Sequence, residues 1–409
     1  MPVSVIKFGG TSLSDISHIK RAAEIVLSEH KKGRKIVVVT SAMSGTTNRI
    51  ISMCQEVSSL KTEQMQYDYD SALSTGESFA ASLFALALQE LGLKSRSVHS
   101  WQLKILSTIH PINSLITSVE VNLLESLINE DIIPVVTGFQ AVNEQGRITT
   151  IGRGGSDTTA AAISAALDSS CCDIYTDVEG IFSADPRLIE NSKVIDQISY
   201  DQAIELAGSG AKVIHPRAIK ICQEFNIPIR IFSTFSQKLG SIIMNNVNEL
   251  RKIDGITYLK NLKIYALERY KKDESNKYIN KNLIEKNTIS NFISKLINTG
   301  INIQSILSCN EYYELRFTAS NEFYYKILEI FKSADYKYNI KDKVACISII
   351  GSSINHNLNI FSKIIQTLEN EKIDILDLIN SETKIAIYID ESHVEQTVKL
   401  LHKKLIEDE

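Results

Sequence analysis

The 409-residue chain has little of what marks secreted, membrane or nucleic-acid-binding proteins. Its six cysteines show no paired Cys-x-x-Cys spacing, so we expect reduced thiols in a cytoplasmic protein. Residues 1–4 lack the basic start and apolar stretch of a signal peptide. No apolar run reaches the ~18 residues of a membrane span. A net charge of −4 offers no basic excess for nucleic acid. These absences favour a soluble, cytoplasmic globular protein.

The length and apolar content predict a globular protein with more than one domain. At 409 residues the chain exceeds the size of one ordinary core, so two or three domains are expected. Hydrophobic residues make up 44% of the chain, as in soluble globular proteins. Composition shifts near Asn245, beyond which the chain is rich in Asn, Ile, Lys, Ser and Tyr and contains no proline. We therefore place a domain boundary there.

Residues 149–160, TTIGRGGSDTTA, are the most informative segment. Glycines let a backbone turn tightly and approach a ligand, and Ser156 or Asp157 is expected to cap the alanine-rich helix that follows. A helix N-terminus favours anions, and Arg153 adds a fork that matches a carboxylate or phosphate. The segment indicates a site for an anionic small molecule, although a glycine-rich loop with a cap would also explain it.

A second segment, residues 5–12 (VIKFGGTS), carries a lysine and two glycines to the end of a short strand. Ligands of open α/β sheets bind at the carboxyl ends of the strands. The N–H groups of Gly9 and Gly10 can cradle phosphate, and Lys7 can neutralise its charge. The spacing is not that of a Walker A loop, and a plain strand-turn-helix remains the alternative.

Apolar periodicity in the first half alternates between strands and helices, which predicts a mostly parallel sheet flanked by helices. A helix is expected after Ser14 or Asp15, ending at Gly33. His215-Pro216 is interpreted as a helix start rather than as a catalytic base. The remaining predicted elements are strands at 35–40, 132–137 and 227–233, and a helix at 79–91 stopped by Gly92.

Together these segments resemble the aspartokinases of the amino-acid kinase family, over a stretch from Lys7 to about Asn245. Seven blocks match in order: residues 7–12, 41–48 (SAMSGTTN), 74–77 (STGE), 137–140 (TGFQ), 151–157 (IGRGGSD), 175–187 (YTDVEGIFSADPR) and 210–216 (GAKVIHP). The resemblance implies a carbamate-kinase-like, three-layer α/β catalytic domain over residues 1–245. It also implies phosphorylation of the side-chain carboxylate of L-aspartate by ATP with Mg²⁺, the first step toward lysine, threonine and methionine.

The second half contains an internal repeat. Helices are predicted at 289–297 and 360–368, each followed by a strand, at 301–306 and 373–378. Further strands are expected at 314–319, 344–351 and 384–389. This pattern resembles the paired ferredoxin-like βαββαβ ACT units of aspartokinases, with units at 255–340 and 341–409. Such units commonly pair between chains, so the resemblance implies a homodimer.

The resemblance also assigns roles within the catalytic domain. Lys7 is the candidate for stabilising the transferred phosphoryl group, with Asp157 orienting it or helping to handle magnesium that ATP carries. The aspartate would be held by polar and charged side chains, with Arg153 on its carboxylate and Glu77 on its ammonium: Ser41, Thr47, Glu77, Arg153 and Ser156. The nucleotide pocket would be lined by Lys7, Gly9, Gly10, Ser12, Thr176, Asp177, Phe182, Arg187, Lys212 and Val213.

Simpler interpretations stay open for the acidic residues, since Asp157 could be a plain N-cap and Asp177 and Asp185 could be turn formers. Phe182 stands where relatives often carry tyrosine. In the ACT units the turns and the Gln-Asn pair with which relatives bind an effector amino acid are replaced by residues 268–286, Ser308-Cys309 and 356–359. We therefore expect feedback by lysine or threonine to be weak or lost.

Two other classes of function also remain. One is a kinase of the same fold acting on glutamate, N-acetylglutamate, carbamate or UMP, against which the 74–77 block and the repeated C-terminal units argue. The other is a non-catalytic, amino-acid-sensing subunit. An intact Lys7 and Arg153 argue against that subunit, since a sensor has no need of them.

Overall fold

The computed structural model describes residues 3–245, 253–268, 292–296, 301, 303–309, 314–333, 337–352 and 354–408. The chain divides into two compact units. The first comprises Met1–Gly255 with Ile350–Ser352, and the second Ile256–Ile349 with Ser353–Glu409. The predicted catalytic segment, 1–245, lies within the first unit.

Two sheets form the first unit. Its strands are β1 Val3–Phe8, β2 Lys35–Thr40, β3 Ser95–Val98, β4 Leu106–Ser107, β5 Ile116–Ser118, β6 Ile133–Thr137, β7 Gln140–Val142, β8 Ile148–Thr150, β9 Cys171–Thr176, β10 Gln197–Ile198, β11 Ile229–Ser233 and β12 Leu239–Ile243. The main sheet has the order β10-β12-β11-β9-β1-β2-β6-β3, and only the β11–β12 pairing is antiparallel. A smaller sheet has the order β5-β4-β7-β8. The predicted mostly parallel sheet is confirmed.

The central strands are buried on both faces, which explains their continuous apolar runs. Successive side chains of β1 enter two separate cores, with Val5 in one and Ile6 in the other. Helices cover both faces and complete three layers. The helices of this unit are α1 Ile16–Lys31, α2 Thr46–Val57, α3 Glu63–Glu90, α4 Asn122–Asn129, α5 Gly155–Ala166, α6 Tyr200–Gly208 and α7 Pro216–Glu224.

The predicted caps of α1 and α7 are confirmed. The Asp15 side chain accepts a hydrogen bond from the His18 backbone N–H, and Gly33 follows α1 with φ 81°. His215 is the N-cap of α7, and Pro216 occupies its first turn. Both helices therefore begin where the local sequence places their starts.

Helix α3 begins at Glu63, so the predicted start at residue 79 is wrong. Thr62 caps the helix by accepting from the Met65 N–H at 3.2 Å. Apolar periodicity missed the first four turns because their buried face includes Asp70, Ser74 and Glu77. Helix α3 is also long and apolar enough to cross a membrane, but half of its apolar 18-residue stretch is buried inside the unit. Its buried residues, such as Phe84 and Leu88, pack in one of the two cores of this unit.

A six-stranded sheet is the frame of the second unit, in the order β14-β15-β13-β16-β18-β17. Its strands are β13 Gly255–Glu268, β14 Ile303–Cys309, β15 Glu314–Ser320, β16 Lys337–Ile350, β17 Asp377–Asn380 and β18 Lys384–Asp390. Its helices include α8 Tyr324–Ser333, α9 Leu358–Asn370 and α10 Val394–His402. Residues 292–296 are also helical, within the helix predicted at 289–297.

Helices and strands of the predicted repeat are present among the described residues, but several bounds differ, including those of the strands expected at 301–306 and 344–351, which are Ile303–Cys309 and Lys337–Ile350. The strand expected at 373–378 starts only at Asp377 and runs to Asn380. The boundary expected between residues 340 and 341 falls inside β16. Because strands from both predicted units hydrogen-bond into one sheet, their cores are built on a shared frame. Residues 269–286, where the effector turn was sought, lie outside the described part of the chain.

Candidate active site

The strands β1, β2, β6 and β9 run parallel, so their carboxyl ends meet at one edge of the main sheet. A cleft of about 310 Å³ opens beyond this edge. Its walls come from the segments that follow these strands and from helices α3 and α5: Lys7, Gly10, Ser41, Ala42, Met43, Ser44, Gly45, Thr47, Glu77, Phe139, Gly152, Arg153, Gly154, Gly155, Ser156 and Asp157. The cleft thus lies where open α/β sheets bind ligands.

Lys7 and Asp157 form an ion pair at the floor of the cleft. Nζ of Lys7 lies 2.6 Å from Oδ1 of Asp157, and each side chain is only 11% exposed. The other carboxylate oxygen, Oδ2, accepts a hydrogen bond from the His215 N–H at 3.2 Å. Asp157 is therefore held from two sides and keeps Lys7 directed into the cleft.

The interpretation of Ser156 or Asp157 as the cap of α5 is wrong, because the N-cap is Gly154. Gly154 has φ 68°, and a Cβ there would lie 2.3 Å from the His215 side chain. Gly152 has φ 81°, and a Cβ there would lie 2.5 Å from Oδ1 of Asn113. Only glycine fits these positions, and the resulting turn places the N-terminus of α5 at the cleft.

Glu77 projects from α3 into the cleft and is 3% exposed. Its Oε1 accepts a hydrogen bond from the Ala42 N–H at 3.2 Å, while Oε2 has no hydrogen-bond partner in the described residues. Burial raises the pKa of Glu77 to about 8, because an apolar environment disfavours the charged carboxylate. An unpaired buried acceptor of this kind is suited to a cationic group of a ligand.

Arg153 is the cation of the site that has no neutralising partner in the described part of the chain. The residue is exposed and lines the cleft, and no hydrogen bond or ion pair joins its guanidinium to the described chain. The cleft therefore presents the unpaired guanidinium of Arg153, the Lys7 ammonium whose charge Asp157 balances, and a Glu77 carboxyl with one oxygen that has no partner in the described residues. A small zwitterion with further negative charge complements this arrangement.

The structure brings eight of the predicted site residues to one cleft: Lys7, Gly10, Ser41, Thr47, Glu77, Arg153, Ser156 and Asp157. The sequence interpretation missed Ala42, Met43, Ser44, Gly45, Phe139, Gly152, Gly154 and Gly155. All of these lie inside the blocks that carried the resemblance. Whole motifs would therefore have located the walls better than their polar residues alone.

The other predicted nucleotide residues lie outside the cleft lining. The Gly9 N–H donates to the Tyr175 carbonyl at 3.1 Å, and Ser12 is fully buried with its hydroxyl 2.6 Å from that of Thr234. Thr176 donates to Asp177 at 3.2 Å. The remaining four occupy the segments after β9 and before α7: Phe182, Arg187, Lys212 and Val213. Their roles toward a nucleotide stay predictions.

Comparison with known families identifies one family in each half of the chain. Residues 2–233 match the model of the amino acid kinase family, and residues 347–405 match an ACT domain. The first match covers more than half of the 409 residues. The sequence-predicted fold class, a kinase domain followed by ACT structure, is confirmed.

Curated relatives agree over the full chain. An aspartokinase of Rickettsia felis is 38% identical over 403 residues, covering 97% of this chain and 98% of the relative. Aspartokinase 2 of Bacillus subtilis is 31% identical over 414 residues, covering 98% and 97%. Among solved structures, E. coli aspartokinase III in complex with aspartate and ADP superimposes with a TM-score of 0.84 at 23% identity, covering 98% of this chain and 99% of that one. The chain belongs to the aspartokinases of the amino acid kinase family, and it is a kinase.

Proposed function

We propose that the protein transfers the γ-phosphoryl group of ATP to the side-chain carboxylate of L-aspartate, giving 4-phospho-L-aspartate and ADP. The observation that carries this proposal is the cleft's combination of Lys7, Arg153 and the unsatisfied Glu77 carboxylate. An α-amino acid with a second carboxylate fits these charges. The family supports the coarser statement of aspartate phosphorylation in amino-acid biosynthesis, and we further propose that the product feeds lysine, threonine and methionine formation.

The reaction needs positioning and charge neutralisation more than acid–base catalysis. A carboxylate oxygen of aspartate attacks the γ-phosphorus, and the bond to the β–γ bridging oxygen breaks as ADP leaves. The nucleophile is already ionised, so no base is required, but two anions must approach each other. Lys7 supplies the positive charge at that point, and Asp157 holds it in place at 2.6 Å.

Substrate recognition follows from the same charges. Arg153 can take the α-carboxylate with two parallel hydrogen bonds, and the free Oε2 of Glu77 can accept from the ammonium. The hydroxyls of Ser41, Thr47 and Ser156 line the same cleft and complete the polar contacts.

For the nucleotide we propose that the α5 N-terminus and the backbone at Gly10 receive phosphate oxygens, which suit backbone N–H groups. The predicted contribution of the Gly9 N–H is not part of this proposal, because that group donates to the Tyr175 carbonyl. Mg²⁺ would arrive on ATP, since this ion is usually held by phosphates and water with one or two carboxylates. Both oxygens of Asp157 are engaged by Lys7 and His215, which supports an orienting role for this residue.

An assay of ADP release with aspartate, glutamate and N-acetylglutamate tests the proposed function directly. We expect turnover with aspartate to exceed that with the other two acceptors by at least about 10-fold, since one extra methylene is worth roughly 10–200-fold and N-acetylglutamate also lacks the ammonium that Glu77 would receive. Equal or higher turnover with glutamate or N-acetylglutamate would overturn the proposal. As a control, Lys7→Ala should lower kcat on the order of 10²-fold or more, as for loss of one preorganised electrostatic contact.

Substitution of Arg153 by lysine separates the two substrates. Arg153→Lys keeps the charge but loses the bidentate fork. We expect the KM for aspartate to rise while the KM for ATP changes less. Steady-state kinetics with each substrate varied in turn measures both, and a larger effect on ATP would assign Arg153 to the nucleotide instead.

The pH dependence of aspartate binding reports on Glu77. Its pKa is raised to about 8, so below that pH the carboxyl is neutral in the free enzyme. The carboxyl must then release its proton to solvent before it can pair with the ammonium of aspartate. We expect the KM for aspartate to rise up to about tenfold for each pH unit below about 8, since one unit corresponds to about 1.4 kcal/mol. Glu77→Gln should show a high KM that is flat over this range. A flat profile in the unmodified enzyme would remove this role from Glu77.

We propose that the protein forms a homodimer through its ACT structure. We also propose that feedback inhibition by lysine or threonine is weak or absent. A cleft of about 440 Å³ adjoins the start of α9, and the described residues that line it are His356, Asn357, Leu358 and Asn359, none of which is a carboxylate, lysine or arginine. An effector's charges would lack ionic partners there, and unmet buried polar groups cost about 1–3 kcal/mol. Initial rates are measured with lysine, with threonine, with both and with neither. We expect half-inhibition only above about 1 mM effector, which corresponds to a binding free energy of roughly −4 kcal/mol. Inhibition at lower concentrations would reveal a competent effector site.

A further inference from the structure

Asp70 is a fully buried carboxylate that lies outside the cleft lining and yet is bonded to the segment carrying Arg153. One oxygen, Oδ2, accepts from the Thr150 N–H and from the Ile112 N–H, each at 2.8 Å. The other, Oδ1, accepts from the Thr150 hydroxyl at 2.7 Å. Three donors therefore converge on one side chain of α3. Thr150 is the last residue of β8, three positions before Arg153.

The second partner of Asp70 belongs to a neighbouring loop that packs on the same segment. Ile112 has φ 71°, a conformation that is unfavourable for a β-branched residue and that its bond to Asp70 helps to hold. Two residues later, the Ser114 N–H donates to the Thr150 carbonyl at 2.9 Å. Asn113 stands 2.5 Å from where a Gly152 Cβ would be. The loop thus forms the back wall of the glycine turn.

Arg217 closes the arrangement from the opposite side. Its Nη1 donates to the Ile151 carbonyl at 2.8 Å, and its Nη2 donates to Oδ1 of Asn113 at 3.2 Å. The residues immediately before Gly152 and Arg153 are therefore fixed between α7 and α3. Of these anchors, only Asp70 is fully buried and only Asp70 shares a helix with a carboxylate of the cleft.

Asp70 and Glu77 both lie on the buried face of α3, about two turns or roughly 10 Å apart along its axis. A rigid helix thus joins the carboxylate that faces the cleft to the carboxylate that anchors the arginine turn. We propose that Asp70 is a positioning residue, which fixes the turn carrying Arg153 relative to Glu77 and so sets the spacing of the two groups that receive aspartate. This inference rests on the proposed function.

The experiment measures the KM for aspartate and for ATP in Asp70→Ala. Two backbone N–H groups lose their acceptor, and a displaced Arg153 should weaken aspartate binding more than ATP binding, because Arg153 lies closer along the chain to Thr150 than the α5 N-terminus does. We expect kcat/KM for aspartate to fall on the order of 10 to 10²-fold, as for a misplacement of about 1 Å, with the KM for ATP changed less than about threefold. A purely structural role would lower the melting temperature and leave both KM values unchanged, and that result overturns the proposal.

Two further variants sharpen the test. Asp70→Asn should restore the aspartate KM, because its amide oxygen can accept both N–H groups while the Thr150 hydroxyl turns to the Ile112 carbonyl, 3.3 Å away. Asp68→Ala, on the same helix, removes an exposed carboxylate paired with Arg147 at 2.7 Å and should change neither KM. An Asp70→Asn variant as impaired as Asp70→Ala, or an Asp68→Ala variant that matches it, counts against the positioning role.

If Asp70→Ala does not fold, Thr150→Val takes its place, since it removes one of the three donors and keeps the shape of the side chain. A rise in the aspartate KM alone supports the proposal, and unchanged KM values overturn it. The acceptor assay on the unmodified enzyme comes first. If the unmodified enzyme does not phosphorylate aspartate, the proposed function is overturned. If it does, and the variants have unchanged KM values, only the positioning role of Asp70 is overturned.

Discussion

The ion pair between Lys7 and Asp157 is the constraint on which the site depends. A lysine at the end of a central strand is nearly buried, and without an anion its charge would be costly to keep there. Asp157 meets that need only because α5 starts at Gly154, in a conformation that glycine alone adopts without strain. The His215 N–H then fixes the second carboxylate oxygen. The end of β1, the start of α5 and the N-cap of α7 are thereby held together around the Lys7 ammonium.

Helix α3 shows how a buried carboxylate can serve structure or ligand binding according to its partners. Asp70 receives three hydrogen bonds and is satisfied within the fold. Glu77 receives one bond from Ala42, and its other oxygen has no partner in the described residues. Burial raises the pKa of both carboxyls, but only Glu77 is left with an acceptor facing the cleft. The unsatisfied group is the one poised for a ligand.

The second unit is held together mainly by apolar packing on one sheet. Tyr265, Phe317 and Phe331 are fully or nearly fully buried in one core, and Val344 lies in a second core on the same six-stranded sheet. A continuous sheet can keep its cores while surface turns diverge, because packing depends on volume and pattern more than on turn chemistry.

The sequence by itself determined the family, the three-layer fold and most of the charged groups of the site. Short apolar strands, glycine turns and caps such as Asp15 and His215 are local signals, and the structure places them as expected. The start of α3 and the role of Asp70 were decided by tertiary structure. A polar residue on a buried helix face resembles a surface residue until its partners, far along the chain at Thr150 and Ile112, are brought to it. Hydrogen bonds between distant segments leave no periodicity in the sequence, so only the folded chain reveals them.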